Sequence, residues 1–207
     1  EQASDTLQSD QPGEQVQATS LIEAFMDDKR ASSYAIAIHV KQPVAGKKKI
    51  FTGLGNVGHM FITLTKFNKD RSFVSRTFGF YPEKGLMIPV NPIFPESPSV
   101  LKNDHFRTWD EMIGRFVSQK DFSRILEFID KNSNTLYHLN RFNCSDFALA
   151  IAELAHIRIA ETSGKWPLGK GNNPGTTGQS ILAGKFSNVE TGSQSGLFAC
   201  TNKYLLK

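Results

Sequence analysis

Three segments with a two-residue hydrophobic period, Tyr34–Val40, His59–Thr65 and Ser72–Tyr81, follow one another with turn-forming residues between them. In the first, Ile36, Ile38 and Val40 fall on one face and Ala35, Ala37 and His39 on the other. Such alternation needs a sheet with one face buried, and Gly46-Lys47 and Asn68-Lys69-Asp70-Arg71 supply chain reversals. The pattern predicts an antiparallel meander, with Ile50-Phe51-Thr52 as a further short strand. The period then changes. Helices are expected at Leu21–Met26, at Met112–Val117 behind the capping-box pattern Thr108-Trp109-Asp110-Glu111, at Asp121–Asp130, at Phe147–Ala155 and near Ser180–Leu182. Strands followed by helices define an α+β fold.

At 207 residues, with 39% hydrophobic and 21% charged residues, the chain can bury one substantial core. The first 19 residues are rich in Gln, Ser and Asp and read as a flexible polar segment; residues 20–207 read as one domain. The chain starts at Glu1, which fits an exported protein whose leader has been removed, with the polar arm as a membrane tether, and fits a trimmed chain equally well. No apolar run approaches the roughly 18 residues of a membrane span. The net charge is +4 and the lysines are scattered apart from Lys47-Lys48-Lys49, which speaks against a nucleic-acid partner. Pro82, Pro89, Pro92, Pro95 and Pro98 interrupt regular structure over a long stretch, the signature of a binding loop that walls a cleft.

Chemistry concentrates at Asn143-Cys144-Ser145-Asp146-Phe147. Cys144 is placed at the first turn of an apolar helix, where unpaired N–H groups and the helix dipole favour a thiolate. The matching base is His59, at the head of a strand. The second cysteine, Cys200, reads as a buried, inert thiol on a terminal strand, and a Cys144–Cys200 disulfide would remove the nucleophile. His39 shares a strand face that an adjacent strand could bring near His59.

Two nucleotide-binding lookalikes fail on context. Gly53-Leu54-Gly55-Asn56-Val57-Gly58 fits a dinucleotide fingerprint in letters, but a strand follows where a helix is required. Gly164-Lys165-Trp166-Pro167-Leu168-Gly169-Lys170 lacks the Ser or Thr of a P-loop at Gly171. The five histidines form no HxH or HxxxH pair, so neither a metal nor a cofactor is expected.

Gly58-His59-Met60-Phe61-Ile62 on a strand, a next strand ending in Thr77-Phe78-Gly79-Phe80-Tyr81-Pro82, and Tyr137 shortly before the Cys144 helix together resemble the circularly permuted branch of the NlpC-type papain-like superfamily. In that branch the histidine strand precedes the cysteine helix. The branch includes cell-wall peptide hydrolases and amidases as well as lecithin:retinol acyltransferase-like enzymes. The resemblance covers about residues 34 to 160 and implies a permuted papain-like fold, an antiparallel sheet packed against the helix that bears the cysteine. It implies Cys144 as nucleophile, His59 as base, and Tyr137 with the Cys144 N–H at the oxyanion. The third catalytic member in the family is a polar residue on the strand after the histidine. Here that position offers Thr77 or Ser75, with a backbone carbonyl or His39 as substitutes. Asp146, Arg141 and Arg76 are available to a charged diamino acid. The expectation is an exported cysteine amidohydrolase or endopeptidase, periplasmic or at a bacterial cell surface, acting on cell-wall peptides. The alternatives are an acyltransferase or thioesterase on lipid or acyl-amide substrates, and a binding domain that keeps the fold without the chemistry.

Overall fold

The computed structural model describes residues 13–52, 56–83 and 90–202. It begins with β1 (Gln15–Val16) and α1 (Ala18–Glu23). The three alternating segments become β2 (Ala31–Lys41), β3 (His59–Asn68) and β4 (Phe73–Pro82). After the proline-rich stretch come β5 (Glu96–Ser97), β6 (Ser99–Asn103) and β7 (Glu111–Val117). Then follow α2 (Gln119–Asn132), β8 (Tyr137–His138) and α3 (Cys144–Leu154). The last part holds β9 (Ile157–Ile159), β10 (Ser163–Trp166), β11 (Gly169–Asn172), α4 (Pro174–Leu182), β12 (Phe186–Asn188) and β13 (Leu197–Thr201).

Among the described residues, seven strands form one antiparallel sheet in the order β1-β6-β4-β3-β2-β7-β13. The α+β class and the meander of β2, β3 and β4 are as the alternation requires. Ile36, Ile38, Met60, Ile62, Leu64 and Phe78 make a continuous buried face. Against it pack Phe122 and Ile125 of α2 and Phe147 and Ile151 of α3. Each such side chain contributes roughly 1.5–3 kcal/mol by leaving water. Phe80 and Phe147 stack with centroids 4.9 Å apart, locking α3 to the sheet.

Several expectations need correction. Met112–Val117 is the strand β7, not a helix, because it is gripped on both sides: Ile113 pairs with Ile38 of β2 and with Ala199 of β13. Two ladders outweigh a local capping signal. Ile50–Thr52 contributes one isolated bridge, Thr52 to Asn56. Residues 13–19 belong to the fold rather than to a polar arm, since Gln15 and Val16 pair with Lys102 and Leu101 at the sheet edge. Cys200 is exposed, not buried. The turn glycines Gly53 and Gly55, and Pro89, lie outside the described residues. Gly58 has φ +73°, and the Pro43 ring leaves no room for a side chain there, so close approach is its role. Among the described residues no helix is long and apolar enough to cross a membrane.

Candidate active site

The helix that carries Cys144 is built to begin where it does. Asn143, in extended conformation, caps α3: its Oδ1 accepts the N–H of Ser145 at 2.7 Å and of Asp146 at 3.3 Å. Asp146 returns the bond, its Oδ2 accepting the Asn143 N–H at 2.9 Å, which completes a capping box. Cys144 is thereby the first residue of the helix, under the positive end of its dipole.

His59 heads β3. Met60, Ile62 and Leu64 face the core, so His59, Phe61 and Thr63 face the other way. As the strand's first residue, His59 still meets the thiol at the end of the sheet, near enough that each group shifts the other's ionisation. Both are almost wholly buried, His59 at 3% and Cys144 at 7% exposure.

The carboxylate that partners the imidazole is Asp104, which the sequence reading missed. Its Oδ2 accepts from His59 Nε2 at 3.0 Å, and it lies in the turn after β6, its own N–H donating to Thr77 O at 3.1 Å. A carboxylate only accepts, so Nε2 carries the proton and Nδ1 is left to the thiol. Asp104 is itself held: Tyr81 Oη donates to its Oδ1 at 2.6 Å, and Arg107 Nη1 donates to Tyr81 Oη at 3.2 Å. The Tyr81 ring lies 4.2 Å from the imidazole. Arg107, Tyr81, Asp104 and His59 thus form a continuous hydrogen-bonded chain that ends beside Cys144. Gly79 makes room for it, since a Cβ there would run into both Asp104 Oδ2 and His59 Nε2.

Thr77, the expected orienting residue, does not take that place. Its hydroxyl bonds Thr63 Oγ1 at 2.9 Å, and Thr63 in turn bonds His39 Nε2 at 2.9 Å. Ser75 bonds Thr65 at 3.1 Å. His39 is separated from His59 by the Phe61 ring, which stacks on both. Burial pushes the His39 imidazole down to about 4, so it is neutral at pH 7.

The electrostatics favour a charged pair. Burial alone would lower the His59 imidazole, but its bonds to Asp104 and Cys144 outweigh this and hold it above the ordinary histidine value. Burial pushes the Cys144 thiol up, yet the bond to His59 and its charge bring it below the ordinary thiol value. Burial, followed by the charge of Asp104, drives the Tyr81 phenol far up, so it stays a donor. Tyr137 is buried beside Cys144, and burial, followed by the Cys144 charge, raises its phenol well above the ordinary value. Phe80 stacks on its ring at 5.6 Å.

Asp146 stands apart from these groups. Besides the cap, its Oδ1 accepts from Asn172 Nδ2 at 2.7 Å, and burial raises its carboxyl. It is the hinge pin of α3 rather than a lining residue of the cleft.

Cys144, His59 and Tyr137 open onto a cleft of about 540 Å³. Its walls come from three loops: Ile50, Phe51 and Val57 from the β2–β3 connection, Val90 and Pro92 from the proline-rich stretch, and Trp166 and Pro167 from the β10–β11 turn. The proline-rich stretch thus walls the cleft as its composition suggests. The lining is predominantly apolar, and among the described residues the charged side chain on it, besides the Cys144–His59 pair, is Arg107. Among the described residues no cluster of three His, Cys, Asp or Glu side chains is arranged to hold a metal. The chain matches no family model, no curated protein and no solved structure.

Proposed function

We propose that the chain is a cysteine acyl-transfer hydrolase of the permuted papain-like kind. The observation that carries the reading is the Cys144–His59–Asp104 array at the N-terminus of α3. With the Cys144 proton held on His59, the thiolate attacks a substrate carbonyl, giving a tetrahedral oxyanion beside the Cys144 N–H and the Tyr137 hydroxyl. The intermediate collapses, the C–N or C–O bond breaks, and the imidazolium protonates the leaving group. Water, deprotonated by His59, then cleaves the thioester and restores the thiol. Asp104 keeps the imidazole in the tautomer this cycle needs.

The apolar lining favours a substrate whose acyl portion is hydrophobic, an acyl amide or acyl ester. Cell-wall peptide hydrolysis is the second reading, favoured by the Arg107 guanidinium at the cleft, which suits a peptide carboxylate. The two separate by turnover. An acyl amidohydrolase releases free amine from N-acyl amides and leaves murein fragments intact; a wall peptidase does the reverse. Activity toward neither class, with Cys144→Ala binding ligands as the wild type does, would leave the fold as a binding domain.

A further inference from the structure

The hairpin of β10 and β11 carries two features that cost stability in water. Lys165 and Lys170 are directly opposite one another across the ladder, both exposed, and like charges so placed repel. Between them Leu168 has φ +63°, a left-handed conformation that suits Gly or Asn, and its side chain is 76% exposed. A solvated turn would carry the opposite chemistry at each of these positions. Acidic relief is not at hand: the nearby Asp146 is consumed by the α3 cap, and Glu161 is paired with Lys48 and Lys185.

Of the other two loops that wall the cleft, the β2–β3 connection repeats the pattern, while the proline-rich stretch shares the exposed apolar residues and has Glu96 exposed beside them. Phe51 is exposed, one residue beyond the exposed run Lys47-Lys48-Lys49. Ile93, at 70% exposure, and Phe94 are exposed next to Pro92. The loops are neighbours, since Gly164 of the hairpin packs against the Ile50 side chain. Arg141 adjoins the hairpin lysines at the surface. Exposed apolar tips on three loops around one opening, two of them flanked by lysines, match a partner with an anionic surface and an apolar interior.

We propose that this rim docks on an anionic lipid bilayer. Leu168, Phe51 and Ile93–Phe94 enter the acyl boundary, while Lys165 and Lys170 meet headgroup phosphates that relieve their mutual repulsion. The cleft then faces the membrane, and a substrate passes from the bilayer to Cys144 without crossing bulk water.

The test is co-sedimentation of the full chain with vesicles of phosphatidylcholine alone and of phosphatidylcholine containing about one third phosphatidylglycerol. Binding to the anionic vesicles is expected, weakened by salt, with little binding to the neutral ones. Leu168→Asn, which accepts the left-handed backbone, is expected to lower affinity about tenfold. Lys165→Gln and Lys170→Gln should each lower it roughly fivefold, whether or not the leucine variant is well folded. Cys144→Ala is expected to bind as the wild type does, which separates this surface from the nucleophile assignment. Equal binding to both vesicle types, or unchanged binding by the leucine and lysine variants, would overturn the proposal. So would concentration-dependent dimerisation that Leu168→Asn abolishes in a protein that ignores vesicles, which would make the rim a contact between two copies.

Discussion

Asp104 reaches His59 over the bare backbone of Gly79: the carboxylate and the imidazole are 45 residues apart in sequence and 3.0 Å apart in space. The meeting depends on strand register, since β4 pairs with β3 through Phe61 and Gly79 and with β6 through Gly79 and Lys102.

Replacing the orienting acid should therefore disable the base. Asp104→Asn is expected to cut kcat by a factor on the order of 10² to 10⁴ with KM little changed. Thr77→Val, which removes only the bond to Thr63, should change kcat less than about tenfold and cost about 1 kcal/mol of stability. Steady-state kinetics on the two variants, with thermal melts as the folding check, gives the comparison; equal losses would remove Asp104 from its assigned role.

Gly79→Ala places a methyl group where the two side chains meet. Overpacking should cost roughly 1–3 kcal/mol, and the displaced imidazole should lower kcat at least as far as Asp104→Asn does. A folded Gly79→Ala enzyme with full activity would show that the His59–Asp104 bond is dispensable.

The pH dependence follows from the two opposed shifts. The depressed thiol and the raised imidazole both favour the thiolate–imidazolium pair over the neutral one. As pH falls through the depressed thiol value the thiolate is protonated; as pH rises through the raised imidazole value the imidazolium is lost. Linked stability runs the same way. The contribution of His59 is complete below its unfolded value of about 6.5 and fades as pH rises through its higher folded value, and that of Cys144 fades as pH falls through its lowered one. Iodoacetamide near pH 6.5 should thus label buried Cys144 faster than exposed Cys200, and His59→Ala should reverse the order. Cys200 reacting first in the wild type would contradict the ion pair.

Tyr137→Phe tests the oxyanion site. Loss of a donor to the developing charge should lower kcat by about 10² while substrate affinity holds, because the phenyl ring keeps its stack on Phe80. A change in KM alone would make Tyr137 a packing residue.

The helix start at Cys144, the strand of His59 and the meander were legible because each rests on local pattern: Asn143 and Asp146 advertise a helix start around Cys144, and alternation places His59 on a strand. Asp104 was not, because it sits in an unremarkable Asn103-Asp104-His105 turn whose position is set by β4–β6 pairing across the proline-rich stretch. Gly79 held the available signal, a bare position on the strand beside the histidine. Thr77 was chosen by strand parity, which gives the face correctly but not the distance along it: Thr77 pairs with Thr63, four residues into β3 from His59. The error at Met112–Val117 has the same origin, since Thr108 to Glu111 spells a helix cap while Ile113 is claimed by strands from distant parts of the chain.

Intact-mass spectrometry during reaction with a p-nitrophenyl acyl ester tests the central claim most directly. A single acyl group should appear on Cys144 within the burst of nitrophenol release, be absent from Cys144→Ala, and form more slowly by a factor on the order of 10² or more in His59→Ala and Asp104→Asn. An adduct on another residue, or one on Cys144 at the same rate in all three proteins that retain the thiol, would contradict the Cys144–His59–Asp104 account.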